Sequence, residues 1–173
     1  MSKTKTLIMT ALMVAIGVAL PFVIIRSQQV RTLISPMHIA PLLAGLVVGP
    51  GPGMTVGILS PLLSSLLTGM PMAPVLPGMV VELGVYGLIG GLCMKYLKLP
   101  GLKKVYASLI IAMIMGRIAG GLLHAFVLDA GSYSLSTWLS SYVVATAPGM
   151  VIHLILIPLV YSALYKAHLT YNS

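Results

Sequence analysis

Charge is scarcer in this chain than a water-soluble fold of its size allows. The 173 residues include ten basic and two acidic side chains, 7% in all, whereas soluble domains carry about 25% charged residues. Hydrophobic residues make up 58%, and the mean hydropathy is +1.07. A folded chain with so few charged residues cannot present a charged surface to water. We therefore infer that lipid surrounds it. Because a bilayer leaves no water to pair with backbone groups, the apolar runs predict an all-α integral membrane protein.

Glycine and proline clusters divide the apolar sequence into six segments. The strongest breakers are GPGPG, at 49–53, and GMPMAP, at 69–74. Pro148 and Pro158 are expected to bend the last segment without ending it. The sequence therefore predicts one membrane domain, 1–173, folded as a six-transmembrane-helix bundle. The predicted helices span about 5–25, 37–48, 54–68, 75–97, 105–128 and 136–165.

The lysines flank the apolar segments instead of forming a basic face. They occur near the N-terminus, between the fourth and fifth helices, and near the C-terminus, as Lys3, Lys5, Lys95, Lys98, Lys103, Lys104 and Lys166. Six spans place all three regions on one side, which the positive-inside rule identifies as the cytoplasm. We therefore expect a multi-pass protein of the bacterial plasma membrane with both termini cytoplasmic. The net charge of +8 then has no relation to nucleic acid, and binding of nucleic acid is not expected.

Two ionisable residues are predicted to lie well inside the bilayer. Glu82 is roughly 10 Å and Arg117 roughly 16 Å below the outer surface, at 1.5 Å of rise per residue. Each charge at the membrane centre costs at least about 2.5 kcal/mol. The two residues therefore mark a functional interior, although a structural ion pair between the helices is an alternative.

Helical spacing groups further polar residues with these two. The fourth, fifth and sixth helices each carry one polar stripe, and the stripes predict a water-filled cavity that opens outward. The candidate substrate-binding residues are His38, Glu82, Tyr86, Arg117, His124, Trp138, Tyr142 and Thr146. Other interpretations remain open: Trp138 and Tyr142 suit an interfacial aromatic belt, and His38 suits a bond to a loop carbonyl. His153 is interpreted as structural.

Small residues recur on the first helix at four-residue intervals, at Ala11, Ala15 and Ala19. Such a face allows another helix to approach closely, so it is a candidate partner interface. No catalytic residue or metal site is predicted, because the sequence lacks HExxH, CxxC and nucleophile-elbow motifs. It also lacks a phosphate-binding loop, so the chain is not expected to hydrolyse ATP or to hold a cofactor.

Four stretches together resemble the substrate-binding S component of the energy-coupling factor (ECF) transporters. They are ALMVAIGVALP, ISPMHIAPLLAGLVVGPGPG, ILSPLLSSLLTGMPMAPVLPGMVVELGVYGLIGGL and MGRIAGGLLHAF. The resemblance implies a six-helix subunit that binds a vitamin from outside and topples in the membrane to deliver it. It also implies partners, a transmembrane coupling protein and two ATPases that alone bind ATP, with Ala11, Ala15 and Ala19 against the coupling protein.

The substrate is left open by the sequence. Glu82 and Arg117 together add no net charge, which favours a neutral ring compound such as pyridoxine or hydroxymethylpyrimidine. If Arg117 faces the ligand, a carboxylate such as pantothenate fits better, and riboflavin, cobalamin or folate would need a larger cavity. Two other functions compete: a stand-alone proton-coupled transporter that uses Glu82, and a membrane scaffold that binds no ligand.

Overall fold

The structure, a computed structural model, describes residues 2–24, 35–128 and 134–171. Within these residues the chain is helical and has no β-strand. The main helices are α1 (Lys3–Ile24), α2 (Ile39–Val47), α3 (Pro50–Thr68), α4 (Leu76–Tyr96), α5 (Gly101–Leu123) and α6 (Ala147–Lys166). Shorter elements flank them: a 3-10 turn Pro36–His38, a π-helical turn His124–Leu128, a helical turn Leu135–Trp138 and a π-helical segment Leu139–Val144.

Four of these helices are long and apolar enough to cross a membrane. They are α1, α4, α5 with its π-helical extension, and α6. The protein is therefore an all-helical membrane protein, as its composition predicts. Of the other two main helices, α2 is too short for a span. The hydropathy of α3 is lowered by its glycine, proline, serine and threonine residues.

Helix α2 occupies the centre of the bundle. All nine of its residues are buried, and it contacts α1, α3, α4 and α6. A helix of nine residues covers only about 14 Å at 1.5 Å per residue, less than half of a bilayer core of about 30 Å. Because α2 is enclosed by protein, its unpaired helix ends are not exposed to lipid.

Glycines bring α2, α3 and α4 into backbone contact. A Cβ added at Gly53 would lie 2.5 Å from the Gly87 carbonyl oxygen and 2.6 Å from the Gly45 Cα. A Cβ at Gly57 would overlap the Leu83 carbonyl, and one at Gly91 would overlap the backbone of Pro50. Close approach of this kind maximises van der Waals contact, which drives helix association where lipid removes the hydrophobic effect.

The GPGPG cluster does not separate α2 from α3 as far as the sequence predicts. Helix α3 begins at Pro50, four residues before the predicted start, and only Gly49 has a non-helical backbone, with φ of 126°. Proline suits the first helical turn because its missing N–H has no intrahelical acceptor there. Gly53 packs against the backbone of α2 and α4, and this tertiary contact offsets the low helix propensity of glycine.

The structure divides the last predicted helix, 136–165, into several elements. The π-helical segment Leu139–Val144 is followed by a turn at 145–146, and α6 starts only at Ala147. Pro148 lies in the first turn of α6, where it starts the helix instead of bending it. Helix α5 also begins earlier than the predicted residue 105: it starts at Gly101, and its first turn includes Lys103 and Lys104.

Both chain ends lie at one end of the bundle. The Lys5 Nζ donates to the His168 carbonyl at 3.0 Å, which joins the start of α1 to the residues after α6. The Tyr171 N–H donates to the Val47 carbonyl at 2.9 Å, and its hydroxyl donates to the Gly91 carbonyl at 3.4 Å.

The residues at this end include all seven lysines, in the first turn of α1, around the α4–α5 connection and at the end of α6. We call it the lysine end. The other charged residues outside the bundle interior, Arg26, Arg31 and Asp129, lie outside the described residues.

Candidate functional site

His38 brings a polar ring into the bundle where the 3-10 turn Pro36–His38 leads into α2. The residue is only 8% exposed, and its Nδ1 donates to the Ser35 carbonyl at 3.2 Å. That bond turns Nε2 toward α4, where it lies 3.7 Å from Oε1 of Glu82. His38 therefore both bonds a loop carbonyl, as one interpretation of the sequence expected, and reaches the buried carboxylate.

Glu82 and Tyr86 form a bonded pair on one face of α4. They are four residues apart, so their side chains lie one turn above the other. The Tyr86 hydroxyl donates to Oε1 of Glu82 at 2.5 Å, so this oxygen faces both Tyr86 and His38. Glu82 is 7% exposed and Tyr86 is 1% exposed. The carboxylate is thus turned into the protein and not toward lipid.

A glycine on α5 makes room for the Tyr86 ring. A Cβ at Gly116 would overlap the ring, so any larger residue there would displace it. The Tyr86 and His38 rings lie 5.5 Å apart between centroids, tilted by 51°. The fit of Tyr86 against Gly116 positions the hydroxyl that holds Glu82.

His153 of α6 completes an aromatic stack. Its ring centroid lies 6.0 Å from that of His38, at an interplanar angle of 26°, and its side chain is 1% exposed. The sequence alone favours a structural role for His153, and the structure brings its ring against His38 of the polar cluster. The signal that could have included it was present: His153 lies on the same helical stripe as Thr146.

Arg117 lies on α5 beside this cluster but bonds to a different partner. Its Nη1 donates to the Thr146 hydroxyl at 2.6 Å, and the side chain is 6% exposed. Among the described residues, the only ion-pair contact of Glu82 within 4.0 Å is with His38. Glu82 and Arg117 are therefore not in direct contact, although they interact at longer range. The ion pair considered from the sequence is therefore absent in this structure.

Trp138 fixes the segment before α6 against α5. Its indole N–H donates to the Arg117 carbonyl at 3.2 Å. A Cβ at Gly121 would overlap the indole, so the ring occupies the groove that this glycine leaves. Trp138 thus contacts α5 rather than serving only as an interfacial belt residue.

The remaining candidates are placed less centrally. His124 is half-buried at the start of the π-helical turn His124–Leu128. Tyr142 lies in the π-helical segment before α6, and its side chain is outside the described part of the structure. Of the eight candidates, His38, Glu82 and Tyr86 form one contact group, and Arg117, Trp138 and Thr146 form a second.

These two groups lie in the half of the bundle away from the lysine end. Glu82 is six residues into α4, about 9 Å along its axis from the end opposite the lysines. Thr146 directly precedes α6, and His38 directly precedes α2, at the same end. Among the described residues, no group of three or more His, Cys, Asp or Glu side chains could hold a metal ion. The side chains of the two groups offer hydrogen bonds, charge and aromatic rings for recognition.

The alanines of α1 face away from the bundle. Ala11, Ala15 and Ala19 are exposed, whereas Met13 and Gly17 on the opposite face are buried. Gly17 packs against α3, where an added Cβ would lie 2.5 Å from the Ser60 hydroxyl oxygen. Helix α1 therefore uses one face for the bundle and leaves the alanine face open to lipid or to a partner.

Comparison with protein families gives one assignment. The family model described as the substrate-specific component of the ECF transporters matches residues 5–171, nearly the whole chain. No significant match to a curated protein or to a solved structure was found.

Proposed function

Since the chain belongs to the family of ECF transporter substrate-specific components, we propose that it binds a small water-soluble vitamin or precursor at the buried polar groups described above. The observation that carries this proposal is the contact of His38, Glu82 and Tyr86 inside a bundle with lipid around it. Each buried ionisable group is costly in a membrane and is usually retained for function. A binding role explains why a chain with only two carboxylates keeps one there.

We further propose that the substrate enters from the end opposite the lysines. The positive-inside rule places the lysine end in the cytoplasm, with both chain termini, and the polar groups then lie in the outer half. In this arrangement the protein resides in the bacterial plasma membrane as a six-helix bundle, with α2 enclosed by the other helices and α3 buried on one face only.

Release to the cytoplasm is proposed to require partners. The chain has no phosphate-binding loop, so ATP would be bound only by two partner ATPases, and a transmembrane coupling protein would connect them to this subunit. The exposed alanine face of α1 is the proposed contact with that coupling protein, because small side chains allow close helix packing.

Native mass spectrometry of the purified protein tests the binding role directly. We expect a co-purifying small molecule whose affinity falls more than about tenfold in Tyr86→Phe, because the variant loses the hydrogen bond that orients Glu82. The matched control is Tyr96→Phe on the same helix, since Tyr96 is 67% exposed. A Tyr86→Phe protein that binds as tightly as the control would show that the site lies elsewhere.

A stand-alone proton-coupled transporter is the second candidate, favoured by the burial of Glu82 beside His38. The two functions separate in vesicles that contain this chain alone. Accumulation driven by a proton gradient, without ATPases, would support the second candidate. Accumulation only with the coupling protein, the ATPases and ATP would support the first.

A further inference from the structure

We propose that the substrate carries an anionic group, a carboxylate or a phosphate, and that Arg117 binds it. This inference rests on the proposed function and specifies its substrate class. It departs from the sequence-based preference for a neutral ring, which assumed that Glu82 and Arg117 cancel each other as a pair.

The first step concerns the counter-charge of Arg117. Glu82 is the only carboxylate among the described residues, and its Oε1 faces His38 and Tyr86. No carboxylate oxygen in the described part of the chain lies within 4.0 Å of the guanidinium. A buried charge without a close partner is strongly unfavourable, and an anionic ligand group would remove that cost.

The second step concerns the donors. A guanidinium has five N–H donors in a planar fork that matches a carboxylate or a phosphate. In Arg117, Nη1 donates to the Thr146 hydroxyl, while the buried Nε has no hydrogen-bond partner among the described residues. Thr146 thus holds one edge of the guanidinium, and the Nε edge remains for a ligand. A neutral hydroxyl or carbonyl offers one oxygen and no charge, whereas an oxyanion offers two oxygens that match the fork and a charge opposite to that of the guanidinium.

The third step concerns rigidity. The Thr146 hydroxyl fixes the guanidinium of Arg117, and the backbone carbonyl of Arg117 accepts from the Trp138 indole. Both partners belong to the segment between α5 and α6, so Arg117 is held on two sides by one segment. A pre-positioned guanidinium loses little freedom when an anion binds, which is the usual requirement for selective recognition.

The experiment compares matched acids and neutral analogues on the purified wild-type protein in detergent. Calorimetric titrations use nicotinate with nicotinamide and pantothenate with pantothenol, together with any compound that native mass spectrometry finds bound. We expect the acid of a pair to bind at least about tenfold more tightly than its neutral analogue. A tightly bound neutral compound, or equal affinity within a pair that binds, would overturn the inference and leave the proposed function intact.

Variants locate the effect at Arg117. Arg117→Gln should lower affinity for the acid at least about tenfold and abolish the preference over the neutral analogue. Arg117→Lys keeps the charge and should retain part of that preference. Thr146→Val keeps the guanidinium and should weaken acid binding by a smaller factor, which tests the idea even if Arg117→Gln fails to fold.

Two results would count against the inference in different ways. An Arg117→Gln protein that folds and still prefers the acid would show that a group other than Arg117 binds the anion. A wild-type protein that retains no small molecule and binds none of the four probes would overturn the proposed function itself.

Discussion

The contact between α3 and its two neighbours predicts a large destabilisation for Gly53→Ala. The added Cβ would lie 2.5 Å from the Gly87 carbonyl oxygen and 2.6 Å from the Gly45 Cα, whereas ordinary contact begins at 3.4 Å. Helix α3 must therefore move by about 1 Å from α2 and α4 together, and neither obstacle is a side chain that can rotate. Overpacking costs about 1–3 kcal/mol, and rigid obstacles on both sides favour the upper value.

The same helix offers a control in Gly51→Ala. A Cβ at Gly51 meets nothing within 4 Å, and alanine in a helix is favoured over glycine by up to about 1 kcal/mol. The control should therefore unfold at the wild-type temperature or slightly above it. Any difference between the two variants then reports packing rather than helix propensity.

Cys93 provides the assay, because it is the single cysteine and lies partly buried in α4. A dye that fluoresces on reaction with thiols will follow unfolding in detergent during heating. A loss of about 3 kcal/mol corresponds to a fall of roughly 6–12 °C in Tm for a chain of this size. If Gly53→Ala melted within about 2 °C of Gly51→Ala, the backbone contact between these helices would be refuted.

Three further changes test other contacts. Gly121→Ala should expel the Trp138 indole from its groove, which would change the emission of this single tryptophan; an unchanged spectrum would contradict the contact. Ala15→Trp should abolish transport by the assembled complex but leave substrate binding within about twofold, whereas loss of binding would refute the partner-face assignment. Tyr171→Phe removes the hydroxyl bond to Gly91 and should lower stability by about 1 kcal/mol, measured by the same thermal assay; no change would mean that the 3.4 Å contact contributes nothing.

The features that the sequence predicted best depend on transfer from water to lipid. A chain with two acidic residues and long apolar runs cannot be stable in water, so its helical, membrane-bound character follows from composition alone. The burial of Glu82 and Arg117 follows from the same cost, because neither charge is tolerated against hydrocarbon. The resemblance to the ECF substrate-specific components is confirmed by the family match.

The features that the sequence did not predict depend on contacts between distant segments. Pro50 suits a first helical turn, but the packing of Gly53 against α2 and α4, which favours a helix through this glycine-rich stretch, cannot be read from the local sequence. Helical spacing placed Glu82 and Arg117 on facing stripes but could not give the distance between them. It likewise placed His153 on a stripe without showing that His38, far away in sequence, stacks on it.

The uneven distribution of lysine has a practical consequence for chemical labelling. Every lysine amine of this protein sits at the same end of the bundle, so a membrane-impermeant amine-reactive reagent can modify these side chains from one side only. Labelling of intact cells compared with inverted vesicles would therefore report the orientation of the whole molecule without any engineered tag. By the same logic, amine cross-linkers will capture neighbours only near that face, and contacts around Glu82 and Arg117 will need carboxyl-, thiol- or light-activated chemistry.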